Sequence, residues 1–213
     1  SLRNIKHLVY AMHLYAEKYK HFPPAIVMGP DGKTPHSWRV ALLPFLDENK
    51  LYKEYRLNEP WDSEHNKKVL EKMPAVFKNP QDNRTGFYTS YLAVVGPNTV
   101  FGKSTRSAGL LAGGAGSTPP AKQEPPAGVR FMDITDGLSN TIAIVEAKRE
   151  IPWTKPEDIT FDGEKLPELG GFFEGGFNVG LCNGAARYFT DQLNPKTLKN
   201  LLLINDGIVI EFP

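Results

Sequence analysis

The residues most able to do chemistry are oxygen ligands, histidines and tryptophans. Asp133, Asp136, Asn140 and Glu146 fall within fourteen positions of one another, and oxygen donors this close in sequence can hold calcium. Their spacing departs from an EF-hand loop. The competing reading is that Asp136 and Asn140 hydrogen-bond backbone N–H groups in a turn. The five histidines (His7, His13, His21, His36 and His65) include no pair four apart on a helix, and no His-Glu-x-x-His, Cys–His or Gly-x-Ser-x-Gly pattern occurs. No catalytic group is assembled from them, and the chain reads as non-enzymatic. Trp38, Trp61 and Trp153, the latter two close to prolines and carboxylates, could floor a sugar or peptide site. They could equally be buried anchors for irregular loops.

Cys182 is the sole cysteine, so no intramolecular disulfide forms, and its place on an apolar strand favours a packed side chain over a nucleophile. Gly170-Gly171 and Gly175-Gly176 lack the Gly-Lys-Ser/Thr ending of a phosphate loop. A net charge of +1 gives no electrostatic footprint for nucleic acid. No apolar run reaches the roughly 20 residues that cross a bilayer.

These side chains must be positioned by an α+β fold. With 19 glycines and 18 prolines in 213 residues, the chain is loop-rich, and it reads as a single domain over 1–213. Leu2, Ile5, Leu8, Val9, Met12, Tyr15, Ala16 and Tyr19 recur at helical spacing, and His21-Phe22-Pro23-Pro24 ends that helix. Only Ser1 stands ahead of it as a cap, so residues 1–24 read as the C-terminal half of a longer helix. Short helices follow: one from Ser37, bent by Pro44, one within 47–55, and one over 64–73 capped by Asp62 or Ser63.

Residues 89–95 read as one strand, and the apolar run 142–147 as a central strand buried on both faces. Between them, residues 103–128 are Gly/Pro-rich and read as a long surface insertion. Asn183-Gly184 predicts a two-residue type I′ hairpin turn, pairing Leu181 with Ala186, Val179 with Tyr188 and Phe177 with Thr190. Asn194-Pro195 opens a last helix over 196–203, and residues 208–212 read as a closing strand.

Taken in order, several segments resemble one family. They are Asn4-Ile5 with Tyr15 and Phe22-Pro23-Pro24, Ser37-Trp38-Arg39 with Leu43-Pro44-Phe45-Leu46, and Pro60-Trp61-Asp62. Ile134-Thr135-Asp136-Gly137-Leu138-Ser139-Asn140-Thr141 with Glu146, Trp153-Thr154-Lys155-Pro156 and Gly175-Gly176-Phe177-Asn178 complete the series. The order is similar to that of the planctomycete prepilin-like proteins called domain of unknown function 1559, also labelled a solute-binding family. Where that family ends its hairpin in Asp-Gly-Ser, this chain has Asn183-Gly184-Ala185 and lacks the carboxylate.

The resemblance implies a type IV pilin-like or pseudopilin-like head, with a long N-terminal helix packed on an antiparallel sheet. It implies export to the cell envelope, a membrane anchor in an apolar helix upstream of residue 1, and partners among copies of itself or other pilin-like subunits. It supplies no catalytic residues. The leading expectation is a structural subunit. The alternative is an exported module that binds a small solute or glycan.

Overall fold

The computed structural model describes residues 1–102, 128–208 and 210. The expected insertion at 103–128 therefore lies, apart from Gly128, outside the described residues. The expected closing strand at 208–212 lies largely outside them as well.

Local backbone chemistry sets the helices. α1 (Leu2–Tyr19) ends where Lys20 takes a left-handed conformation (φ 69°) and returns its N–H to the Ala16 carbonyl. The Ser37 hydroxyl caps α2 (Trp38–Leu42) by accepting from the Arg39 N–H at 3.2 Å. A single 3₁₀ turn holding Pro44 follows, and then α3 (Asn49–Glu54). Ser63 caps α4 (Glu64–Leu70) by accepting from the Asn66 N–H at 3.1 Å. Two short strands, β1 (Ile26–Met28) and β2 (Pro35–Ser37), form an antiparallel pair ahead of α2.

The main sheet is antiparallel, with strand order β3 (Tyr91–Leu92), β5 (Ile142–Glu146), β7 (Gly176–Leu181) and β8 (Ala186–Thr190). Every residue of β5 is buried, as its apolar run predicts. A bulge between Ile142 and Ile144 turns Ala143 and Ile144 toward the α1 side, while Ile142 and Val145 pack on the other. α5 (Pro195–Leu202), capped by Asn194, covers that second face with Leu201 and Leu202. On the first face, the fully buried Ile5, Leu8, Val9 and Met12 of α1 contribute roughly 1.5–3 kcal/mol each by burial. Leu2 and Tyr19 were expected on this apolar face. They are instead 41% and 45% exposed, at the two ends of the helix.

Two strand expectations need correction. Residues 89–95 do not form one strand. β3 joins the main sheet, whereas β4 (Val94–Val95) pairs in parallel with β6 (Ile159–Thr160). The break falls at Ala93, whose N–H goes to the Asp158 carboxylate at 2.8 Å and whose carbonyl accepts from the Ile159 N–H. The β7–β8 turn is also not a two-residue type I′ turn. Gly184 has φ of 92° but Asn183 is not in the positive region. The Gly184 N–H bonds to the Leu181 carbonyl and the Leu181 N–H to the Ala185 carbonyl, making a three-residue loop over 182–184. The register therefore shifts by one: Gly180 faces Ala186, Val179 faces Arg187, Asn178 faces Tyr188 and Phe177 faces Phe189. Every expected partner is displaced accordingly.

Gly180 of β7 lies beneath α1. A Cβ there would stand 2.6 Å from Val9 Cγ2 and 2.8 Å from Ile5 Cγ2. Glycine lets helix and strand approach closely. Gly180→Val is expected to destabilise the fold by about 1–3 kcal/mol through overpacking. Lys6→Ala, on the exposed side of α1, should stay within about 0.5 kcal/mol of the parent. Urea denaturation of both variants checks the pair.

Candidate functional site

Glu146 ends β5 with its side chain toward α1, and it is fully buried. Its carboxylate is satisfied entirely by neutral donors. Oε2 accepts from the Asn178 backbone N–H at 3.1 Å and from Asn178 Nδ2 at 2.9 Å. Oε1 accepts from the Ser1 hydroxyl and from the Asn79 side-chain amide. The Tyr91 hydroxyl, opposite Glu146 in the sheet, donates to Ser1 Oγ at 3.2 Å. Burial, with the Glu146 charge adding to it, pushes the Tyr91 phenol up to about 12. Among the described residues no cation pairs with Glu146, so its charge is held by hydrogen bonds alone.

Beside this network lies an open cleft of about 420 Å³, between the first turn of α1 (Ser1, Leu2, Arg3) and Phe173, Asn178 and Tyr188. The corrected hairpin register is what sets Tyr188 across from Asn178. Sequence reasoning missed Asn79 and Asn178, although Asn178 lies in the Gly175-Gly176-Phe177-Asn178 segment already singled out.

The tryptophans occupy three different settings. Trp38 is fully buried, donates its indole N–H to Asp158 Oδ2 at 3.1 Å, and packs against Phe101. Trp153 is also fully buried. It donates to the Leu70 carbonyl at 2.9 Å and stacks on Phe77 at 5.3 Å. Neither ring presents a face to solvent. Trp61 is half-buried, with Lys155 Nζ 6.0 Å from its ring centre. The three do not share a cleft.

Trp38 instead borders the most enclosed ion pair of the molecule's described part, between Arg39 and Asp158. Arg39 Nη1 and Nη2 reach the two Asp158 oxygens at 3.2 and 3.0 Å, and Ser37 Oγ and the Glu157 carbonyl take the remaining terminal N–H groups. Arg39 Nε has no partner. Burial lowers the Arg39 guanidinium, and burial pushes the Asp158 carboxyl up to about 6 despite Arg39 beside it. Arg39 lies in the Ser37-Trp38-Arg39 segment singled out in the sequence, whereas Asp158 lies two residues beyond Trp153-Thr154-Lys155-Pro156. Nothing local couples positions 119 apart.

The acidic residues expected to gather do so only in part. Asp133 accepts from Arg130 Nη2 at 2.8 Å and from the Arg130 backbone N–H. Asp136 accepts from the Asp206 and Gly207 N–H groups at 2.7 and 2.8 Å, and Asn140 Nδ2 donates to the Asp136 carbonyl at 3.3 Å. Burial, and then the neighbouring Asp136 charge, raise the Asp206 carboxyl. Glu146 belongs to the separate network described above. Among the described residues, no three His, Cys, Asp or Glu side chains converge where a metal ion could sit. Cys182 is buried, and burial pushes its thiol up, away from nucleophilic character.

No curated protein and no solved structure matches the chain. The profile of the family described as "Protein of unknown function (DUF1559)" matches residues 2–165. That span contains Arg39, Asn79, Glu146 and Asp158, and it ends before the β7–β8 hairpin.

Two stability experiments follow from the buried charges. Arg39→Met leaves Asp158 without its counter-charge and should cost about 3–5 kcal/mol near neutral pH. Pairing it with Asp158→Leu should cost less than the sum of the two single changes in a double-mutant cycle. The Arg39→Met deficit should also shrink as pH falls, because a protonated Asp158 needs no partner.

Asp82 behaves oppositely. Burial raises it, but bonds from Arg84 and Ser90 outweigh burial and hold it down to about 2, below its ordinary 3.8. Its contribution is therefore present above about pH 4 and lost as pH falls toward 2. Asp158 lies above its ordinary value, so its ionisation between about pH 4 and 6 subtracts from stability. Asp82, a buried carboxylate held low, should contribute to the loss of stability below about pH 4, and Asp82→Asn should make that limb of the stability–pH curve less steep.

Proposed function

The chain belongs to the DUF1559 family, a family of unknown function, and from that premise we propose that it is the globular head of a non-enzymatic, pilin-like structural subunit of the cell envelope. The observation that carries this reading is the division of α1 into two faces. Ile5, Leu8, Val9, Met12 and Tyr15 are spent on the core, leaving Arg3, Lys6, His7, Tyr10 and Glu17 along the outside, with Tyr10 60% exposed. A helix docked on a sheet in this way can pack its outer face on copies of itself or on related subunits.

In this reading the protein is exported, and an apolar helix upstream of Ser1 anchors it in the membrane. Among the described residues no helix is long and apolar enough to cross one. The charged and titratable groups considered above are engaged in hydrogen bonds and ion pairs that position backbone, which suits a structural role. A second reading, an exported module for a small solute or glycan, draws on the cleft beside Asn178 rather than on the tryptophans.

Cysteine cross-linking tests the structural reading in the full-length protein in its native cells. Tyr10→Cys should give cross-linked species larger than the monomer in the envelope fraction. Lys165→Cys, on a distant loop, should not, and buried Cys182 contributes no background. A Tyr10→Cys protein that stays monomeric, or that fractionates with the cytoplasm, overturns the proposal.

A further inference from the structure

The cleft beside Glu146 carries an inference of its own. A carboxylate only accepts hydrogen bonds, so Glu146 Oε2 fixes the Asn178 side chain with its Nδ2 inward. Asn178 Oδ1 must then point the other way. Asn178 is 4% exposed and lines the cleft, and among the described residues nothing donates to its Oδ1. The result is an acceptor of fixed orientation on a residue that lines an open depression. Around it stand the Tyr188 and Phe173 rings, the Leu2 side chain, and Arg3, which no hydrogen bond or ion pair occupies among the described residues. The volume, about 420 Å³, lies within the roughly 300–1,000 Å³ common for small-molecule sites.

We propose that this cleft is a carbohydrate subsite for an acidic sugar residue of the hexuronate type. A ring hydroxyl donates to Asn178 Oδ1, and the sugar carboxylate pairs with the Arg3 guanidinium. The apolar C–H groups of the ring lie against Tyr188 and Phe173, as aromatic walls favour. Glu146 is a positioning residue: it touches no ligand, and it sets which end of the Asn178 amide the ligand meets. A peptide would also bring a carboxylate to Arg3 and an N–H to Asn178 Oδ1; what favours the sugar is the C–H face of its ring against the Tyr188 and Phe173 rings, and the dipeptide titration below separates the two. The inference rests on the second reading above, the solute or glycan module, and not on the structural role, with which it shares only the first turn of α1.

Titration of the ¹⁵N-labelled 213-residue chain with sodium glucuronate, methyl glucoside and the dipeptide acetyl-Ala-Phe, followed by NMR, tests it. Glucuronate should saturate, with shifts centred on the Asn178 side-chain amide, Tyr188 and Arg3. Arg3→Gln should raise the glucuronate Kd about tenfold and leave methyl glucoside unchanged, whereas Tyr188→Ala should weaken both sugars. Both substitutions alter exposed side chains, and the fingerprint spectrum reports whether each variant is folded. The proposal is overturned if no sugar gives saturable shifts at tens of millimolar, if the shifts map away from Asn178, or if only the dipeptide binds.

Discussion

The buried Arg39–Asp158 pair is the interaction on which the arrangement of the rest depends. It joins the helical first third of the chain to the strands that follow the insertion. Two charges withdrawn from water are costly unless each is well paired, so the surrounding backbone is recruited to satisfy them. Ser37, the cap of α2, also accepts from Arg39, and Trp38 of the same helix donates to Asp158. The Ala93 N–H is drawn out of the main ladder to the same carboxylate. The cap residue of α2, its Trp38 and the break between β3 and β4 therefore meet at one ion pair.

Glu146 solves the opposite problem. It is as deeply buried as Arg39, yet it is held by a hydroxyl, two side-chain amides and a backbone N–H. Those donors come from three places in the chain, the start of α1, the segment after α4 and β7, and Tyr91 of β3 donates in turn to Ser1. The network fixes where α1 begins to lie on the sheet, and Gly180 sets how closely it then approaches. Electrostatic satisfaction at one end and steric permission in the middle define the same docking.

Much of this was legible in the sequence wherever the cause was local. Ser37 caps α2, Ser63 is the one of the pair Asp62 and Ser63 that caps α4, and Asn194, read as opening the last helix, caps it, because a side chain reaching its own following N–H needs no distant partner. The apolar run of β5 announced burial on both faces. The hairpin turn was misread because Asn-Gly is compatible with two loops. The loop that forms gives the Cys182 and Asn183 N–H groups to the Thr141 and Leu138 carbonyls, partners too far along the chain for the turn residues to announce. The division of residues 89–95 could not be read locally, since its cause, Asp158, lies 65 positions away from Ala93. The tryptophans offered two readings, and Trp38 and Trp153 prove to be fully buried; the polar lining of the cleft was invisible because Asn178 acquires its orientation only from Glu146.

The two surfaces of α1 are not wholly separate. Leu2 and Arg3 line the cleft, and they also begin the exposed side of the helix along which a second subunit would pack. A partner that covers the first turn would close the cleft from one side, burying Leu2 and changing the solvation of Arg3. Ligand binding and helix packing would then be linked, and the linkage is necessarily reciprocal: whatever the partner does to affinity in the cleft, a ligand in the cleft does to the affinity of packing. Its sign follows from Arg3. If packing leaves the guanidinium reachable and removes water around it, the two events reinforce one another. If a partner carboxylate takes the guanidinium, they compete. On those two proposals together, the Arg3 cation on the first turn would decide whether ligand is held best with a partner packed on α1 or without one.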